Sequence, residues 1–376
     1  MRIVLAPDSY KGSLTATEAC RAMEEGIRRV LPDAEIVRVP MADGGEGTVQ
    51  SLVGAMNGRI RSATVHNPLG ELIEAKYGIL QDEATAVIEV AEASGLYRIP
   101  ASRRNPLIAS TYGTGELIRD ALDQGCRRFI VCLGGSATND GGAGMIQALG
   151  ARLLDRDGRE LPLGGGSLDR LHRLDLSGFD ARIEESVFTA ACDVDNPLCG
   201  PRGASAVFGP QKGADPDMVA ALDRNLYRFS EVIERQLHRP VRDLAGAGAA
   251  GGLGAAVVAF LNGTLQKGVR LVIEASRLEE KLLGADLVLT GEGQSDDQTE
   301  MGKTPFGVAQ AAEKAGIPVI LLSGALGRGV ESMYRHGVVS AFSIVNGPMA
   351  LEEAMRGAYG LLADCAERVV RLWTAR

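Results

Sequence analysis

Apolar and polar positions alternate along this chain in a repeating grammar. The opening "RIVLAPDSYKGSLTATEACRAMEEGIRRVL" reads as a strand, a polar loop and an amphipathic helix. Thr15 is placed to cap that helix, and Ala19, Ala22, Met23, Ile27 and Val30 recur close to helical spacing. "AEIVRVPMADGGEGTVQSLVGAM" repeats the order strand, loop, helix. Further along, "ESVFTAACDVDNP", "ADLVLTGEGQSD", "IPVILLSGAL" and "VSAFSIV" are strand-like, most of them separated by helical patterns. Strands alternating with helices predict parallel βαβ units, whose active sites lie beyond the carboxyl ends of the strands. The polar, glycine-rich loops follow the strands here, which points to one functional edge.

The middle of the chain has a different pattern. "RSATVHNPLGELIEAKYGIL" predicts two strands around an Asn-Pro-Leu-Gly turn, "TAVIEVAEASGL" adds another, and "ALGARLLDRDGREL" carries an Asp-Gly hairpin signal. The expected architecture is therefore α/β. A doubly wound, mainly parallel, Rossmann- or flavodoxin-like domain (residues 1–61 plus 186–376) carries an inserted, mixed α/β domain (residues 62–185), with an interdomain cleft. No internal repeat interrupts this plan.

Composition changes the picture little. A chain of 376 residues suits two domains, and 45% hydrophobic with 23% charged residues is the balance of a globular protein. Aromatics at 4% argue against a base- or sugar-stacking surface. A net charge of −8 disfavours nucleic acid or an anionic membrane as partner, so any site for an anion must be local. Neither a signal peptide nor an apolar run of about 18 residues is evident. Six scattered cysteines without a C-x-x-C pair, and four dispersed histidines, do not make a zinc site. Reduced thiols in a cytoplasmic setting are the expectation.

Five loops carry candidate chemistry. "APDSYKG" puts Asp8, Ser9 and Lys11 after the first strand, where a capped turn is the alternative to a binding loop. "MADGGEGT" sets Asp43 and Glu46 among glycines, suited to a hydroxyl or a cation. "LGGSATNDGGAG" offers successive amides and the Ser136 and Thr138 hydroxyls ahead of a helix, an arrangement for phosphate. "AACDVDNPLCG", followed by "FGPQKGA", brings Asp193, Asp195, Asn196 and Lys212. The last, "TGEGQSDDQTEMGKTP", ends in Gly-Lys-Thr, yet Asp297 stands where a Walker A loop needs its first glycine, and four carboxylates crowd the loop. It is not a P-loop. Glu292 and Asp296 suit Mg²⁺ or a proton, and Lys303 suits phosphate oxygens. "GAGAAG" (246–251) matches a dinucleotide fingerprint only by letter, because "RPVRDLA" before it is a poor buried strand; close packing or a cleft lining is its expected role.

Taken in order, "PDSYKGSL", "ADGGEGT", "GGSATNDGGAG", "ACDVDNPLCGPRGA", "FGPQKGA", "GAGAAGGLG" and the Gly-Lys loop resemble the bacterial type-1 glycerate kinase family, from about residue 3 to about residue 350. Gln294 and Ser295 depart from the residues common there, while Asp296, Gln298, Thr299, Gly302 and Lys303 match. The resemblance implies ATP- and Mg²⁺-dependent phosphorylation of D-glycerate, giving 2-phosphoglycerate, by two α/β domains; the expected partners are these small molecules, with a monomer or a homodimer both open. It implies ATP phosphates at Gly134, Gly135, Ser136, Thr138 and Asn139, with Lys303, and substrate at Asp8, Ser9, Lys11, Asp43 and Glu46. Asp193 is the expected base, Asp296 a metal ligand or rival base, Glu292 a second metal ligand, and Lys11 the partner of a transferring phosphate or of the glycerate carboxylate. A metal-dependent phosphatase and a non-catalytic nucleotide sensor are the competing readings.

Overall fold

The computed structural model describes residues 1–375. The strands of the two main sheets are, in chain order, β1 (Arg2–Leu5), β2 (Glu35–Arg38), β3 (Arg59–His66), β4 (Leu72–Ile79), β5 (Thr85–Glu89), β6 (Arg128–Cys132), β7 (Val187–Ala191), β8 (Thr264–Gln266), β9 (Leu287–Thr290), β10 (Val319–Ser323) and β11 (Val338–Ser343). The chain divides into two compact units. The first comprises residues 1–43, 50–57 and 269–376, and the second residues 44–49 and 58–268.

The first unit holds a five-stranded sheet in the order β11-β10-β9-β1-β2, every pair parallel. Such strands are covered on both faces, and their apolar residues show it: Ile3, Val4, Leu5, Leu287, Val288 and Leu289 are wholly buried. The Ala16–Arg28 helix starts with the expected Thr15 cap, completed as a capping box by Glu18. It buries Ala19, Ala22, Met23 and Ile27 in one core with Leu362, Ala363, Ala366 and Val370 of the Ala358–Thr374 helix. From β1 the chain first adds β2 on one side and later β9, β10 and β11 on the other. The strand order therefore reverses between β1 and β9, and the crevice beyond their carboxyl ends is the place where doubly wound sheets bind ligands.

The second unit holds a six-stranded sheet in the order β8-β7-β6-β5-β4-β3. β5 through β8 are parallel, and the β3–β4–β5 meander is antiparallel, its first turn at the predicted Asn-Pro-Leu-Gly. One expectation is corrected here. The sequence reading ends the inserted domain at residue 185, whereas the second unit runs to Gly268. The cause is β7, "VFTAA", which pairs with β6 so that Phe188 lies opposite Phe129, their rings stacked with centroids 4.4 Å apart. A buried parallel strand reads as a short apolar run whichever sheet it joins. Its partner is chosen by such cross-strand contacts, which periodicity does not carry.

Candidate active site

In the first unit the loops after β1, β2 and β9 bring Asp8, Asp43 and Glu292 into electrostatic contact at the reversal of strand order. Asp8 accepts from its neighbour's amide, Ser9 N, at 2.6 Å and from the Thr304 hydroxyl at the start of the Thr304–Lys314 helix. Burial, then the like charge of Asp43 and more weakly of Glu292, raises the Asp8 carboxyl to about 7, against those two hydrogen bonds. Glu292 is buried, and its Oε1 accepts from Ser295 at 2.9 Å and Thr299 at 2.8 Å. Burial raises its pKa as well, opposed by those hydroxyls and by Lys303.

Lys303 Nζ stands 3.6 Å from Glu292 Oε2 and 3.5 Å from Asp296 Oδ1. Asp296 also accepts from Gln294 Nε2 and the Gln298 amide. Partial desolvation works against its charge, but these partners prevail and its pKa falls. Lys303 thus neutralises two carboxylates of its own loop. Lys11 is exposed beyond β1, with its backbone beside Gly293.

In the second unit the carboxyl ends of β5, β6, β7 and β8 lie in consecutive order and deliver Glu89, Gly134, Asp193 and Lys267. Residues 44–49 form a strap at these ends. At Gly44 (φ +89°) a Cβ would fall 2.6 Å from Ala191 Cβ and 2.9 Å from Gly268 Cα, so only glycine permits this approach. The strap is tied down by Glu89, whose Oε1 accepts from Gly47 N at 3.1 Å and Val49 N at 2.8 Å. A cavity of about 50 Å³ is lined by Gly45, Glu46, Glu89, Tyr97, Gly134 and Gly135. Asp193 is exposed, and its Oδ1 accepts from Gly268 N at 3.0 Å.

The loop after β6 divides into an open and a closed part. Gly134 and Gly135 are exposed, and Ser136 is 5% exposed beside them. On either side the backbone is engaged: Leu133 N donates to Ala191 O and Ala137 N to Ser94 O. Among the described residues the amides of Gly134, Gly135 and Ser136 donate to no protein acceptor. Three consecutive free amides form a nest for an anion. Beyond them Thr138, Asn139 and Asp140 are wholly buried. Asp140 anchors this part, accepting from Thr111 N, Thr111 Oγ1, Gly142 N and Gly144 N. The "GAGAAG" run backs it. Gly251 O accepts from Gly141 N at 2.9 Å, and a Cβ on Gly251 would meet Thr138 O at 2.0 Å. Close packing is its role, as expected.

Three sequence expectations are resolved by this placement. Asp193 and Asp296 were expected beyond strands of a single sheet, but β7 and β9 belong to different sheets. Asp43 and Glu46, neighbours in one motif, fall into different units, as do Lys303 and the Gly134–Asn139 loop. Thr138 and Asn139 are interior groups. Sequence reasoning passed over Glu89, whose only signal is a carboxylate ending the buried run "TAVIE".

Carboxylates at the strand-order reversal of the first unit and an open amide nest at the strand ends of the second are each suited to phosphate chemistry, the class of enzyme the two units fit. Comparison with known proteins specifies which. The chain belongs to the glycerate kinase family, whose pattern it matches over residues 3–374. It is 52% identical to a glycerate kinase of Halalkalibacterium halodurans (98% of this chain, 97% of that one). It is 51% identical to a glycerate 2-kinase of Escherichia coli (98% and 97%). A crystal structure provisionally designated glycerate kinase 2 of Salmonella typhimurium LT2 superposes with a TM-score of 0.93 at 48% identity, covering 100% of this chain and 98% of that one. As a kinase, the chain uses ATP.

Proposed function

We propose that this chain transfers the γ-phosphoryl group of ATP to D-glycerate in the cytoplasm, at the 2-hydroxyl, with Mg²⁺. The observation that carries the chemistry is the run of free amides at Gly134–Ser136 beside strand-end carboxylates. The acceptor is supported by relatives of about half identity that bear the glycerate kinase name. Phosphoryl transfer needs positioning and charge neutralisation more than covalent chemistry, together with a group to orient the attacking hydroxyl. Gly134, Gly135 and Ser136 would hold phosphate oxygens by N–H donation. Asp193 would accept the hydroxyl proton, and the exposed Lys11 would pair with the carboxylate of glycerate. Asp8, Asp43 and Ser9 offer acceptors and donors to its hydroxyls.

Mg²⁺ prefers a few carboxylate oxygens with phosphates and water. Among the described residues no cluster of three or more His, Cys, Asp or Glu side chains is built to bind a metal. One or two carboxylates acting with phosphate fit that ion's preference. Glu292 and Asp296 are the residues that would hold it, although the bonds from Ser295, Thr299, Gln294 and Lys303 already engage them. When bound, the ion neutralises charge on the transferring group.

The test is coupled ADP release across a panel of small hydroxy acids, with phosphorus NMR of the product. D-Glycerate should raise ADP release well above background and give one phosphomonoester at carbon 2. Release only with another acceptor overturns the substrate, and phosphate release without nucleotide favours a hydrolase.

A further inference from the structure

Lys212 is 2% exposed, and its ammonium group has no ion-pair partner within 4 Å among the described residues. It ends the short Pro210–Lys212 turn, in the "FGPQKGA" motif. Its Nζ donates to Ser136 Oγ at 3.0 Å and to Thr138 O at 2.7 Å. Taking an ammonium out of water costs several kcal/mol, and two neutral acceptors return only part of that. Burial accordingly lowers its pKa to about 7, with the charge of Asp140 opposing the shift. Two oxygens of the same loop, Thr138 Oγ1 and Asn139 Oδ1, are buried without a hydrogen-bond partner among the described residues. Packing alone gives no reason to keep such a group under this loop.

The hydrogen-bond geometry supplies one. A hydroxyl that accepts from an ammonium must direct its own hydrogen elsewhere. Ser136 is thereby fixed as a donor, next to the three free amides of Gly134, Gly135 and Ser136. These amides and the Ser136 hydroxyl offer donors to a ligand, and phosphate oxygens only accept. A hydroxyl polarised by a neighbouring cation is also the stronger donor.

Resting on the assignment of ATP phosphates to this loop, we infer that Lys212 is a positioning residue for the phosphoryl donor, acting through Ser136 from beneath the amide nest. Lysine rather than a neutral residue is required because the loop otherwise carries no positive charge, while the ligand is a polyanion.

The experiment compares wild type, Lys212→Met, Ser136→Ala and the double variant. ADP affinity is measured by titration calorimetry without acceptor, and the KM values for ATP and glycerate by steady-state kinetics. Methionine keeps the stem and removes the charge. Loss of a hydrogen bond to a charged group predicts ADP affinity and ATP KM worsened by about ten- to hundred-fold. The glycerate KM should move less than about two-fold. The double variant should be no worse than Lys212→Met, because one residue acts through the other. Unchanged ADP affinity in folded Lys212→Met, beside wild type that binds ADP, overturns the role of Lys212 and leaves the kinase reading standing. Wild type that turns over glycerate but binds ADP with no contribution from Ser136 overturns the placement of phosphate on this loop. Wild type that neither binds ADP nor releases it with glycerate overturns both. If Lys212→Met does not fold, Ser136→Ala decides alone: ADP affinity reduced supports the inference, and unchanged affinity refutes it.

Discussion

Glu89 gives the sharpest physical test of the second unit. It is 5% exposed, and burial, with smaller contributions from Glu92 and Glu46, raises its pKa from 4.5 to about 7, although Gly47 and Val49 donate to it. A carboxyl with a raised folded pKa binds its proton more tightly in the native state. Below about pH 4.5 it is neutral in both states and costs nothing. Between 4.5 and about 7 the unfolded state ionises first, so stability falls as pH rises, and above 7 the whole penalty is present. That rise corresponds to about 3 kcal/mol as an upper figure. Glu89→Gln removes the charge but keeps an oxygen that accepts from both strap amides. Urea unfolding followed by circular dichroism at pH 4.5, 5.5, 6.5 and 8, on both proteins, isolates Glu89 as a difference. The variant should gain on wild type steadily from pH 4.5 to 7 and then level off, by up to about 3 kcal/mol. Amide exchange at Gly47 and Val49 should stay protected in both. A difference that is flat with pH, or that favours wild type increasingly as pH rises, would mean that the strap amides outweigh desolvation and that Glu89 is an ordinary ionised carboxylate.

Asp193→Asn should lose about two to four orders of magnitude in turnover that added Mg²⁺ does not restore, whereas Asp296→Asn should raise the Mg²⁺ concentration for half-maximal rate and recover part of its activity at high Mg²⁺. The reverse pattern in a magnesium titration exchanges the two roles, and near wild-type behaviour of both removes them from the chemistry. Lys11→Ala should lower kcat/KM for glycerate at least ten-fold with an unchanged melting temperature, since its side chain is exposed and its loss opens no core cavity; unchanged kinetic constants would leave it a solvated turn residue.

The fold class was legible because each strand–loop–helix block declares itself locally. Thr15 caps where its position says it should, and the β3–β4 turn sits where Asn-Pro-Leu-Gly places it. What local pattern does not hold is partnership between distant segments. "VFTAA" and "LVLT" look alike as apolar strands, and the choice of sheet falls to contacts such as Phe188 on Phe129, about sixty residues apart in the chain. The same limit moved the domain boundary from residue 185 to Gly268.

The candidate site shows the limit at finer scale. "GGSATNDGG" reads as a single phosphate-type loop, because small and hydroxylated residues suit both ligand binding and tight packing. The structure divides it at Ser136. Upstream, amides lack protein partners and can serve a ligand; downstream, Thr138, Asn139 and Asp140 turn inward, with Asp140 accepting four hydrogen bonds from Thr111, Gly142 and Gly144. Glycine and serine are compatible with either fate. The deciding information lies in "GAGAAG", more than a hundred residues on, which reaches the loop only because Gly251 has no side chain to strike Thr138 O. A nucleotide fingerprint by letter thus turns out to be the backing that holds another segment in place. Lys212 follows the same logic: nothing in "PQKGA" separates a buried lysine from a solvated one, and its meaning appears only when Ser136, more than seventy residues away, is found to accept its proton donor.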